Sequence, residues 1–128
     1  MKHGLIILLL LINTALIAKE SHSNQLTAVP DNSRFSIIQS EASADMTFRL
    51  DKFTGSVSRM IEGNRGPIWL KLKREKHAED IQQPQRVNYQ VFTSGLNVKM
   101  IYMSNIHTGV TWYLSENSKL GIFWKAIK

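Results

Sequence analysis

From Arg34 onward, apolar and polar residues alternate in short runs, each closed by a turn-forming cluster. Met46, Phe48 and Leu50 fall on one side of an extended chain, and Thr47 and Arg49 fall on the other. Alternation with period two marks a half-buried β-strand. The same criterion gives strands over 34–39, 46–50, 56–61 and 67–73, then over 88–93, 99–104, 110–114 and 122–127. In 67–73, Ile68, Leu70 and Leu72 share one face, while Trp69 and Lys71 share the other. Segments 40–45 and 94–98 read as loops. The polar stretch 75–87 has no clear apolar face and is the one stretch with room for a brief helix.

The strands come in two sets. Residues 34–74 align without a gap to residues 88–128, at an offset of 54. Seven of the 41 pairs are identical, among them Ser40/Ser94, Met46/Met100, Thr54/Thr108 and Gly55/Gly109. Others match in kind, such as Phe35/Tyr89, Ile37/Val91, Phe48/Tyr102, Asp51/Asn105 and Trp69/Phe123. A fixed period of this length implies a duplicated supersecondary unit. The centre of each unit is a turn built from Asp51, Thr54 and Gly55, or from Asn105, Thr108 and Gly109. The leading carboxylate or amide can accept from backbone N–H groups ahead of it, and the closing glycine can take positive φ.

This Asp/Asn-x-x-Thr-Gly hairpin resembles the one in blades of quinoprotein-type β-propellers. It is also similar to a group of small exported bacterial proteins that carry the hairpin twice. The resemblance implies a blade-like architecture and brings no catalytic or cofactor residue with it.

The expected fold is therefore all-β. Two tandem four-stranded antiparallel meanders would each present one apolar face, which neither can bury alone. Packing against each other about a pseudo-two-fold axis, they would make an eight-stranded barrel or sandwich. The expected core includes Phe35, Ile37, Phe48, Leu50, Val57, Tyr89, Val91, Tyr102 and Ile122. Trp69, Trp112 and Trp124 would sit at or near the seam.

Upstream of the repeat, Lys2 and His3 precede an apolar run from Gly4 to Ile17. That run is short for a membrane span, which needs about 20 residues, and fits an export signal. The expected organisation is a signal over 1–18, a flexible leader over 19–33 and one β domain over 34–128. Within that domain lie repeat one (34–74), the connector (75–87) and repeat two (88–128). Cleavage is expected after Ala18, and an uncleaved signal would serve as an anchor. No transmembrane span is expected after cleavage. The chain has no cysteine, so an exported domain must hold itself by packing, as fits a bacterial periplasm or cell exterior.

The charge balance is basic, with 16 Lys and Arg against 10 Asp and Glu. It favours acidic partners. No recognition helix or zinc pattern points to nucleic acid. The three histidines beyond the signal, His22, His77 and His107, are scattered, and a specific metal site needs several converging ligands. Asp51 reads as turn chemistry, and Ser40 and Ser94 as loop caps without a histidine base nearby. The chemistry left over is aromatic and basic: Trp69, Trp112 and Trp124 with Lys71 and Lys125 as a candidate binding surface. No cofactor, metal or catalytic set is expected. The expectation is a non-enzymatic exported protein that binds another protein or an envelope polymer, in the periplasm or outside the cell. The alternatives are an anionic polysaccharide or membrane-surface binder and, more remotely, a small hydrolase. Open sheet edges permit a homodimer.

Overall fold

In the computed structural model, which describes residues 31–128, the alternating runs are strands. They are β1 (Phe35–Ser40), β2 (Ser43–Asp51), β3 (Ser56–Gly63) and β4 (Gly66–Lys71), followed by the two-residue β5 (Lys73–Arg74). After the connector come β6 (Tyr89–Thr93), β7 (Ile101–Asn105), β8 (Thr111–Asn117) and β9 (Gly121–Ala126). The expected export segment, its cleavage after Ala18 and most of the leader lie outside the described residues. Within them there is no helix, so the connector does not coil.

The strands form two separate sheets, not a closed barrel. One is a four-stranded meander in the order β1-β2-β3-β4. The other has the order β5-β9-β8-β7-β6, in which β6 to β9 meander and β5 adds in parallel at the β9 edge. The apolar inner faces share one buried cluster: Phe48, Leu50, Val57 and Leu72 from the first half meet Tyr89, Ile101, Met103, Val110, Trp112 and Trp124. This is a sandwich-like arrangement.

Both open meanders use the same register over their first three strands. Phe35 pairs with Asp51 and Tyr89 with Asn105; Phe48 pairs with Arg59 and Tyr102 with Tyr113. Each of these pairs recurs 54 residues later. The fourth strands differ by one residue. Met60 pairs with Trp69 and Leu114 with Trp124, so the first members stand 54 apart and the second members 55. The last turn of the second meander holds an extra residue, and Trp69 is the counterpart of Trp124, not of Phe123.

The faces do not match as a two-fold axis would require. Phe48, Leu50 and Val57 point inward, and so does the neighbouring Ile38. Their counterparts Tyr102, Ser104, Thr111 and Phe92 point outward on the five-stranded sheet. Conversely, Tyr89 and Val91 are inward, whereas Phe35 and Ile37 are 52% and 65% exposed. Phe35 and Ile37 are thus not core residues, and half-buried Tyr102 lies on the outer face. A shift of one residue exchanges the faces of a strand. In Phe35-Ser-Ile37-Ile38 both parities carry an apolar side chain, so the sequence did not choose between them. Val91 and Ile122 pack against the cluster as partly buried residues.

The two central turns share their principal hydrogen bonds. Gly55 N donates to Asp51 O (2.8 Å) and Gly109 N to Asn105 O (2.9 Å). Phe53 N donates to Asp51 Oδ1 (3.0 Å) and His107 N to Asn105 Oδ1 (2.9 Å). Both glycines have positive φ, 69° and 76°. Ser40 and Ser94 likewise each accept from the backbone two residues on, at 3.2 Å. At the open edge of the four-stranded sheet, Leu72 N donates to Val57 O (2.9 Å), which sets the even-numbered residues of β4 to bond inward. The missing N–H of Pro67 therefore faces the free edge, where proline is tolerated.

The glycines separate backbone strain from crowding. Any L-residue at either φ costs about 1–2 kcal/mol. At Gly109 an added Cβ meets nothing, whereas at Gly55 it would overlap Arg74 Nη1 and press on the Tyr89 ring at 3.0 Å. Gly55→Ala is expected to lower the denaturant midpoint well beyond Gly109→Ala. Equal losses in urea titrations would show that Arg74 does not pack there.

Candidate functional site

The connector is built into the centre of the molecule by one carboxylate. Asp80 Oδ1 accepts from the Tyr89 hydroxyl at 2.6 Å and from Asn105 Nδ2 at 2.9 Å. Its Oδ2 lies 3.3 Å from Arg74 Nη2, in a pair whose side chains are 21% and 10% exposed. Arg74 Nη1 also donates to Gly55 O (3.3 Å), and the guanidinium stacks over the Tyr89 and Trp112 rings at 4.9 and 5.0 Å. Asn88, fully buried, donates from Nδ2 to Phe53 O (2.9 Å) and Gln83 O (2.8 Å), and its Oδ1 accepts from Gln83 N (2.8 Å). Trp112 Nε1 donates to Glu75 O at 2.9 Å. Both central turns and both sheets thus hold the same thirteen-residue connector (75–87).

This network explains why the leading residue is aspartate in one turn and asparagine in the other. Asp51 is on an outer face, where it takes the Arg34 guanidinium at 2.8 Å. Burial pushes its carboxyl upward, but the bonds from Arg34 and from the Phe53 and Thr54 groups outweigh that and hold it below the usual range. Asn105 is completely buried and faces Asp80. A carboxylate there would confront another, whereas an amide donates to Asp80 and Ile81 O and still accepts from His107 N and Thr108 N. The Tyr89 phenol is raised, chiefly by burial and then by its bond to Asp80, against the opposing charge of Arg74.

The network is inward and fully engaged, which makes it a structural knot. The histidines do not join it: His107 Nε2 lies 3.0 Å from Val87 O, and His77 Nδ1 accepts from Glu79 N at 3.2 Å. Among the described residues, no group of three His, Asp or Glu could hold a metal ion. The depressions in the surface are shallow; one is lined by Arg59, Met60 and Pro67, another by His77, Thr108 and Lys128.

The five candidate binding residues do not form one patch. Trp112 and Trp124 are wholly buried in the core and have no surface to offer a partner. A large ring at an inward position is worth more in the cluster than in solvent. Trp69 and Lys71 lie on the outer face of the four-stranded sheet, where Arg49 stacks over Trp69 at 5.1 Å. Lys125 lies on the outer face of the five-stranded sheet, across the molecule.

That second outer face carries a surface the sequence reading missed. Phe92, Tyr102, Tyr113 and Lys125 are direct neighbours across β6, β7, β8 and β9, in one row perpendicular to the strands. Adjacent strands are about 4.8 Å apart, so the row spans roughly 14 Å. Phe92 is 63% exposed, and Tyr102 and Tyr113 are partly so. Phe123, one row away beside Lys73 of β5, is only 5% exposed. Among the strand residues on this face there is no Asp or Glu. The signal was present in the alternation: Phe92, Tyr102 and Tyr113 occupy the parity opposite to Tyr89, Met103 and Trp112. Compared with protein families, curated proteins and solved structures, the chain matches none.

Two outcomes test the knot. Asn105→Asp should lower stability by about 3 kcal/mol near neutrality, the scale for an uncompensated buried charge. Crowded carboxylates have raised pKa values, so the folded form regains stability as pH falls and loses it as pH rises. A neutral effect in urea titrations at pH 7 would contradict the geometry. For Tyr89 the folded pKa is raised, so its contribution is complete below the ordinary phenol value of about 10 and is lost as pH rises through the folded value. The alkaline fall in stability should be shallower in Tyr89→Phe, as read by unfolding between pH 8 and 11.

Proposed function

We propose that this is an exported, non-catalytic β protein that holds a macromolecular partner, and that it does so on the outer face of the five-stranded sheet. The observation that carries the reading is the aromatic row Phe92–Tyr102–Tyr113 ending on Lys125, on a strand face without a carboxylate. Monomeric proteins seldom leave a contiguous apolar patch uncovered unless something docks there. Tyrosine and phenylalanine offer large contact area for little lost side-chain freedom, which is why they anchor interfaces. The polar side chains of greatest chemical potential, Asp80, Tyr89 and Arg74, are engaged with one another in the interior. Export rests on the apolar run Gly4–Ile17 behind Lys2 and His3, and the cysteine-free composition agrees with a bacterial periplasm or cell exterior.

A second reading has its own observation. Lys73 and Lys125 are the charged strand residues on this face, so an anionic polysaccharide would find both stacking rings and positive charge there. Its binding would weaken steeply with salt, because exposed charges more than about 10 Å apart are screened at 0.1 M.

The test is affinity capture of the tagged protein from envelope and culture fractions, beside Phe92→Ser and Lys125→Glu. A partner retained by the parent chain and reduced at least tenfold by Phe92→Ser supports the reading. Retention that falls with salt and with Lys125→Glu, on anionic polymer beads and without protein, selects the polysaccharide. Capture indifferent to both substitutions removes this face from consideration.

A further inference from the structure

One end of the second meander carries two loops unlike those of the first. Strands β6 to β9 alternate in direction, so the β6–β7 and β8–β9 connections lie at the same end of the sheet. Residues 94–100 bridge the ladder pair Thr93–Ile101, as residues 40–46 bridge the equivalent pair Gln39–Thr47. Serine opens and methionine closes both segments, and each serine hydroxyl accepts from the N–H two residues on. Between them every residue differs: Gly95-Leu-Asn-Val-Lys99 stands where the first meander has Glu41-Ala-Ser-Ala-Asp45. Two carboxylates are replaced by one ammonium, and two alanines by a leucine and a valine. Leu96 is 99% exposed. The other connection differs in the same sense. Asn64-Arg65 joins β3 to β4, whereas Ser118-Lys119-Leu120 joins β8 to β9, and Leu120 is 39% exposed.

Neither leucine side chain closes its loop. Asn97 Oδ1 accepts from Lys99 N (2.9 Å), and Asn117 Oδ1 accepts from Lys119 N (3.0 Å) and Leu120 N (2.6 Å). Asparagine turn chemistry thus sets both backbones. We infer that these two loops seat the protein on a phospholipid bilayer, with Leu96 and Leu120 in the interface and Lys99 and Lys119 at the phosphates. Composition selects lipid over a protein partner: lysine is depleted from protein interfaces, and leucine is under-represented among their anchors. Aliphatic insertion joined to lysine attraction is instead how peripheral elements hold a bilayer surface. Within residues 94–100 and 118–120 the charged side chains are the two lysines alone. Glu41, against Gly95, and Glu116, paired with Ile122 before the turn, flank the loops, so the leucines rather than charge carry the contact. This inference concerns the end of the sheet, not its outer face, and stands whatever docks on the aromatic row.

The chain has no cysteine, so a single introduced thiol reports from one position. Leu96→Cys, Leu120→Cys and Ile37→Cys, each carrying an environment-sensitive fluorophore, are mixed with vesicles of phosphatidylglycerol and phosphatidylcholine. All three positions are exposed, and Ile37, on the other sheet, is the site that stays in water. The labels at 96 and 120 are expected to shift to the blue and to be quenched by nitroxides in the upper acyl chains; the label at 37 is expected to do neither. An uncleaved export segment would tether the chain without placing these two positions in the bilayer. With Leu120→Ser added, the lipid needed for half the shift at residue 96 is expected to rise about tenfold, the scale for one leucine returned to water. No shift at either loop, or a shift at only one, overturns the two-loop contact. An equal shift at 37 shows adsorption without orientation and overturns it as well. A shift with lipid-free envelope protein and none with vesicles gives the loops a protein occupant instead.

Discussion

The Asp80 carboxylate holds the architecture together. It is nearly buried, and removing a carboxylate from water costs several kcal/mol unless donors replace the lost hydration. Three donors from three different elements do so: the Tyr89 hydroxyl on β6, the Asn105 amide at the end of β7, and the Arg74 guanidinium on β5. Moving Arg74 leaves the charge unpaired, and moving either neutral donor leaves a nearly buried carboxylate lone pair without a hydrogen bond. The connector is thereby fixed against the second meander, and Arg74, pressed on Gly55 and stacked between Tyr89 and Trp112, fixes the first meander to the same point. A chain with no disulfide gains the equivalent of a crosslink from a polar network, at the cost of requiring every member.

The same network accounts for an asymmetry that sequence similarity hides. The turn at Asp51 and the turn at Asn105 share their main-chain bonds, but Asp51 faces the Arg34 guanidinium on the outer side and Asn105 faces Asp80 within. The difference follows from stacking direction. When the inner side of one sheet lies on the opposite side of the next, equivalent turn residues alternate between the outer and the inner face. Aspartate with an arginine partner suits the first environment, and asparagine, which can both donate and accept, suits the second.

Local order was legible in the sequence; orientation was not. The eight main strands, the central turns and the cross-strand register of the first three strands in each meander follow from alternation and turn chemistry, which act over a few residues. Core positions Phe48, Leu50, Val57 and Tyr89 were readable for the same reason. The choice of face for β1 was not, because Ile38 competes with Phe35 and Ile37 at opposite parity. Nor was the extra residue in the last turn, since an ungapped alignment pairs Ile68 with Ile122 and conceals the match of Trp69 to Trp124. Trp112 and Trp124 were read as surface candidates because aromatic residues serve cores and interfaces alike, and only tertiary burial separates the two uses. Asp80 gave no signal at all: its role depends on residues 9 and 25 positions away, in a segment without periodicity.

The outer faces of the two sheets also carry large apolar groups. An outward phenylalanine, tyrosine or isoleucine is ordinary when solitary. Here such residues form a cross-strand row on one sheet and a cluster on the other. The sheet faces were thus not given the clean polar exterior usual for an antiparallel sheet with one wetted side. Arginine covers part of the four-stranded sheet, with Arg34 over Phe35 and Arg49 over Trp69, which keeps these rings compatible with water while leaving their edges available. The five-stranded sheet has no arginine on its strands' outer side, so its row Phe92–Tyr102–Tyr113 lies without a guanidinium over it and ends on a single lysine.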